Sequence, residues 1–107
     1  MAFLTPACQP REGMEAVAET EEPAFRRGKQ LQREGRRQEA LNAFLSVIEK
    51  RRGHAPESHL EAGELFRTHI NDPIAAIYHY RRFLELSPNS RQAPQVRHRS
   101  RRNSAGF

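Results

Sequence analysis

The sequence predicts an all-α chain of two antiparallel helical hairpins with disordered termini. Three observations carry this. Four stretches between residues 23 and 88 repeat apolar side chains at three- and four-residue intervals, the spacing of one helix face. The links within each pair are too short for anything but a reversal. The two pairs also match one another at a fixed offset, which is the mark of a repeat.

The segment Asn71 to Ser90 is the most legible. Asp72 offers an N-cap oxygen to a free amide of the first turn. Pro73 follows at the first helical position, where a missing N–H costs nothing. Ala76, Ile77, Tyr80, Phe83 and Leu84 then form one apolar stripe, with Arg81, Arg82 and Glu85 outside it. Pro88 ends the pattern by disfavouring helical geometry at Ser87.

The remaining elements follow in chain order. Residues 1–22 form an acidic leader, with Glu12, Glu15, Glu19, Glu21 and Glu22 against Arg11, and are expected to be disordered or loosely docked. Pro23 to Arg36 is a helix whose Ala24, Gly28 and Leu31 share a face; Gly35 punctuates its end. Arg37 to Lys50 is a second, with a broad stripe of Ala40, Leu41, Phe44, Leu45, Val47 and Ile48. Glu57 to Ile70 is a third, aligning Leu60, Gly63, Phe66 and Ile70. After Pro88, Asn89 and Ser90 can cap one more short turn, which Pro94 should break. Residues 91–107 are read as a basic, mostly disordered tail. The expected helical domain therefore spans 23–90.

The offset between the pairs is regular. Gly28 and Leu31 correspond to Gly63 and Phe66, thirty-five residues on. Ala40, Phe44 and Val47 correspond to Ala76, Tyr80 and Phe83, thirty-six on. This pattern resembles the tetratricopeptide repeat over about residues 21–90. The second copy carries Gly63, Phe66, Ala76, Tyr80, Phe83 and the closing Pro88. The first carries Gly28, Leu31, Gly35, Ala40, Phe44 and Val47 but has Arg52 where the closing proline belongs, and Arg27 where an apolar residue should precede Gly28. The resemblance implies a right-handed α-solenoid fragment. Two repeats make a marginal core. Either a leader or tail helix caps it, or the chain self-associates, or it belongs to a longer array; the last two are the expectation.

By the same resemblance, the first helix of each hairpin lines a concave groove that binds a peptide or helix of a partner protein. Carried onto this chain, the groove residues are Phe25, Lys29, Gln32 and Arg33, then Leu60, Glu64, Arg67 and Thr68. Lys29, Arg33 and Arg67 favour a partner with acidic character. The subclass that clamps C-terminal carboxylates needs Lys and Asn at the places of Phe25 and Lys29, so that specialisation is not expected here.

The residues themselves show no catalytic constellation. The five histidines form no HExxH pair, Cys8 lies far from all of them in sequence, and the glycines punctuate helices instead of forming a phosphate loop. His79, between Tyr78 and Tyr80, reads as a solvated or stacking side chain. No enzyme activity, cofactor or metal is therefore expected. A single cysteine allows no internal disulfide. No stretch approaches a membrane span or a secretory signal, which points to the cytoplasm.

The formal charge of +5 is unevenly placed. Residues 1–90 balance thirteen basic against thirteen acidic side chains, and the excess is Arg91, Arg97, Arg99, Arg101 and Arg102. Nucleic-acid binding through Arg97, Arg99, Arg101 and Arg102 is thus the alternative to a protein-binding groove.

Overall fold

The computed structural model describes residues 17–105, with side chains through Arg102. It is all-α, with no strand among the described residues. A 3-10 turn at Glu19–Glu21 leads into α1 (Pro23–Arg33), α2 (Arg37–Lys50), α3 (Pro56–Leu65), α4 (Pro73–Leu86) and α5 (Ala93–Ala105). A π-helical turn, Phe66–Ile70, extends α3. Each helix packs on its neighbours in sequence: α1 on α2, α2 on α3, α3 on α4, α4 on α5.

Backbone chemistry sets the boundaries. Pro23, Pro56 and Pro73 open α1, α3 and α4 in their first turns. The Asp72 carboxylate accepts from the Ala75 amide at 3.0 Å, the cap expected from the sequence. α1 closes with a paired bond set: Arg36 N–H donates to Leu31 O and Gly35 N–H to Gln32 O. Gly35 sits there at φ +79, a left-handed position where a side chain is strained. α2 closes the same way, with Gly53 N–H donating to Ile48 O and Arg52 N–H to Glu49 O. Here the left-handed position falls on Arg52, at φ 55. Asn71, at φ 62, makes the corresponding bend between the π-turn and α4, and its short polar side chain suits that geometry.

Two apolar clusters form the interior. One gathers Phe25, Leu31, Ala40, Leu41, Phe44, Val47, Ala62 and Leu65 from α1, α2 and α3, with Ala55 just before α3. The other gathers Leu60, Ala76, Tyr80, Phe83 and Val96. Phe66 packs against both and joins them. In each cluster a glycine meets a ring. A Cβ added at Gly28 would lie 2.8 Å from the Phe44 ring, and one at Gly63 would lie 2.7 Å from the Tyr80 ring. These are the pairs that the sequence offset set in register. Of the expected repeat-core residues, Gly28, Leu31, Ala40, Phe44, Gly63, Ala76, Tyr80 and Phe83 are buried, and Phe66 is partly so.

Both ends differ from the sequence expectation. Residues 1–16 of the leader lie outside the described residues, but its last six are docked. The Glu19 carboxylate, 7% exposed, accepts the first amides of α3 from Glu57 and Ser58. Glu22, 6% exposed, pairs with Lys50 at 3.0 Å and Arg51 at 2.9 Å. Those contacts hold its carboxyl below the usual range, Lys50 contributing most. Arg51 also donates to the Val17 carbonyl. Charge count alone made this segment look unattached; its carboxylates are in fact placed on a helix N-terminus and two cations.

The tail is helical through Ala105, where the sequence suggested one short turn and then disorder. Pro94 falls in the first turn of α5, where no acceptor is waiting for its missing N–H, so it starts the helix instead of breaking it. Ser90 supports that start, accepting Gln92 N–H on Oγ and Ala93 N–H on its carbonyl. Ala93 and Val96, each 1% exposed, seat α5 on α4. A face of α4 is thereby covered from within the chain, by a helix of the tail.

Arg52 carries an avoidable strain, since a non-glycine in the left-handed region costs on the order of 1–2 kcal/mol. Arg52→Gly should raise stability by about 0.5–1 kcal/mol in chemical denaturation at unchanged m-value. An unchanged or lowered midpoint would show that the φ at this position is not limiting.

Candidate partner-binding face

α1 and α3 are not sequence neighbours, yet their side chains meet. Lys29 Nζ donates to Glu61 Oε2 at 2.9 Å, and Gln32 Nε2 donates to Glu61 Oε1 at 3.0 Å. The first helices of the two pairs are thus joined along one partly exposed face. Glu61 was not singled out from the sequence, although it lies three residues before Glu64 on the same helix.

Further along, Glu64 gathers three donors. Arg67 Nη2 lies 2.9 Å from Oε1, the Tyr80 hydroxyl donates to Oε2 at 3.0 Å, and Arg99 pairs with Oε2 from α5. Arg67 Nε also donates to the Tyr80 oxygen at 2.9 Å. Burial, then the Glu64 charge, pushes the Tyr80 phenol up to about 12. The hydrogen bond that the Arg67 guanidinium donates to Glu64 raises it above its ordinary value. Both side chains therefore stay in one protonation state across the physiological range. Thr68 Oγ1 donates to the Glu64 carbonyl at 2.7 Å.

The structure thus brings Lys29, Gln32, Glu64, Arg67 and Thr68 onto connected surface. Arg33 is exposed there and bonds only Gln30, at 2.7 Å, with no carboxylate partner among the described residues. Phe25 and Leu60, expected to line the groove, do not. Each is 6% exposed and belongs to the interior. Phe25 meets Phe44 edge-on, with ring centroids 5.2 Å apart. Burying either side chain is worth about 1.5–3 kcal/mol, which outweighs any family-pattern placement at the surface.

The four tail arginines separate. Arg99 turns inward to Glu64. Arg97 donates to the Pro88 carbonyl at 3.1 Å. Arg101 and Arg102 are exposed.

One polar feature was not recognised in the sequence. His59 Nδ1 and His79 Nδ1 lie 2.9 Å apart between α3 and α4, at 1% and 8% exposure. One ring donates and the other accepts, so at most one can carry its proton on Nδ1. His79 is stacked on Phe66 with centroids 5.5 Å apart and planes 7° from parallel. Tyr78 packs edge-on against it from the outside. The sequence reads His79 as solvated or stacking; it stacks, and it is buried instead of solvated. Burial pushes both imidazoles down to about 4, with Arg82 assisting at His59 and His59 at His79. Ser58 Oγ and His59 Nε2 are buried beside this pair without a protein partner. The only sequence signal was that the two histidines lie on helices expected to pack together. Among the described residues, no group of three or more His, Cys, Asp or Glu is placed to hold a metal. No helix there is long and apolar enough to cross a membrane.

The histidine pair gives stability a pH dependence with a defined sign. The folded state holds both rings neutral down to about pH 4, whereas in the unfolded chain they protonate near their ordinary value of about 6.5. The unfolded state therefore binds more protons in that window, and stability falls as pH drops from about 6.5 to about 4. The slope reaches about 2.7 kcal/mol per pH unit for two such groups. Unfolding free energies measured across the window should lose most of that slope in His59→Leu/His79→Leu. An equal slope in both proteins would place the protonation elsewhere.

No family model, no curated protein and no solved structure matches this chain.

Proposed function

We propose that this chain is a non-catalytic protein–protein interaction module of the tetratricopeptide-repeat type, binding an extended peptide or helix of a partner across α1 and α3. The observation that carries this reading is the junction at Glu61. It ties Lys29 and Gln32 of α1, with the exposed Arg33 next in sequence, to the helix that continues about two turns on to Arg67 and Thr68. The paired Gly28–Phe44 and Gly63–Tyr80 contacts support the repeat reading, since they are the same packing unit used twice. A strip whose Glu61 and Glu64 are already partnered, and whose Arg33 has no carboxylate, favours a ligand with acidic side chains. A single cysteine is compatible with a cytoplasmic setting. Self-association remains within the proposal as a second copy serving as the partner.

Display selection on random dodecapeptides should enrich acidic, extended sequences. A selected peptide should lose at least about tenfold in affinity to Lys29→Gln/Arg33→Gln, in which residue 29 can still donate to Glu61, while helicity and the unfolding midpoint stay near those of the parent. Selection of no peptide, or binding that the double variant leaves unchanged, would reject the strip as the binding surface. Sedimentation over a concentration series tests self-association in the same samples.

A further inference from the structure

The outer face of α5 carries arginines that no carboxylate among the described residues neutralises. Residues 86–107 contain five arginines, one histidine, no lysine and no acidic residue. Arg99 is used by Glu64, on the side of the helix that faces α3. The exposed positions of α5 through Arg102 are Pro94, Gln95, Arg97, His98, Arg101 and Arg102. Arg97 and Arg101 are one turn apart, about 6 Å along the axis, with Arg102 on the adjoining strip. Arg91 is exposed just before the helix begins. Among the described residues none of Arg91, Arg97, Arg101 and Arg102 forms a salt bridge. Arg97 is steadied by the Pro88 carbonyl, which leaves its charge unneutralised. The helix itself is held in place by Ala93, Val96 and the Arg99–Glu64 clamp.

We propose that this face of α5 binds the phosphate backbone of duplex nucleic acid, independently of base sequence. Guanidinium groups fork onto phosphate oxygens in a way that ammonium groups do not, and the charge here is entirely arginine. Stable anchoring on a membrane needs an apolar face or lipid chain beside the basic charge, and the apolar side of α5 is already spent on α4. A protein interface of this kind would need a large apolar or aromatic anchor at its centre, and the exposed positions supply none. The absence of an exposed aromatic on the described part of α5 also removes base stacking, which favours the denser charge of a duplex over a single strand. What remains is backbone contact by three or four arginines on a fixed helix. This surface is separate from the strip on α1 and α3.

The test is fluorescence anisotropy of a labelled mixed-sequence DNA duplex of about 20 base pairs with the full chain, from about 50 to 200 mM salt. The logarithm of affinity should fall with the logarithm of salt with a slope of about −3, for three to four phosphates engaged. Arg97→Gln/Arg101→Gln/Arg102→Gln should lower affinity at least about tenfold at the lowest salt, with helicity by circular dichroism retained because glutamine is a good helix former. Lys29→Gln/Arg33→Gln should leave duplex affinity within about twofold, which separates this surface from the peptide strip. A salt-independent affinity, or one unchanged in the glutamine variant, would overturn the proposal. So would polyglutamate, anionic phosphatidylserine vesicles or a single strand binding more tightly than the duplex.

Discussion

In both helix pairs an aromatic ring lies against a glycine in the facing helix, so close that a single methyl group has no place. Phe44 occupies the surface of Gly28, and Tyr80 that of Gly63. Each glycine costs its helix about 1 kcal/mol relative to alanine. In return the helix axes approach far enough for a fully buried ring to fill the space between them, and both rings are at 0% exposure. Much of the interior is arranged around these two contacts. Leu31, Ala40 and Val47 close around the first, and Ala76, Phe83 and Val96 around the second. Phe66 spans the two and makes them one interior.

Carboxylates then fasten the elements that the apolar clusters leave at the edges. Glu19 and Glu22 hold the end of the leader on the α2–α3 corner, Glu61 ties α1 to α3, and Glu64 ties α3 to α4 and α5. Each joins segments that are distant in sequence, so each closes a loop whose entropy the apolar contacts alone would have to offset. The same arrangement commits Glu19, Glu22, Glu61 and Glu64 to contacts within the chain. Arg33 on α1 and the outer arginines of α5 are left free of carboxylates among the described residues, and these are the surfaces to which ligands are assigned here.

The strongly periodic part of the chain was legible in advance. The four main helices, the Asp72 cap, the Pro73 start and the glycine–aromatic register all follow from spacing and turn chemistry within short windows. The features that were missed depend on contacts between windows. α5 looked too polar to fold, because its stability rests on two small buried residues and a clamp to Glu64, none of which its own composition reveals. The leader looked loose because a carboxylate aimed at a helix N-terminus is indistinguishable in sequence from a solvated one. Phe25 was placed by family pattern on a surface, whereas it lies only about 60° around α1 from Gly28 and follows it inward. His59 and His79 each looked ordinary, and only the packing of α3 on α4 makes them a pair.

The central claim is that ring and glycine are fitted to each other, and a double-mutant cycle on Gly28→Ala and Phe44→Leu in the unfolding free energy tests it most directly. The account predicts that Gly28→Ala destabilises the parent, where the added methyl meets the ring at 2.8 Å. In the Phe44→Leu background the same change should become neutral or stabilising by up to about 1 kcal/mol, through helix propensity alone. The resulting coupling should be at least about 1 kcal/mol. Equal effects of Gly28→Ala in the two backgrounds would contradict the account, because the close approach would then not be what holds the helices in register.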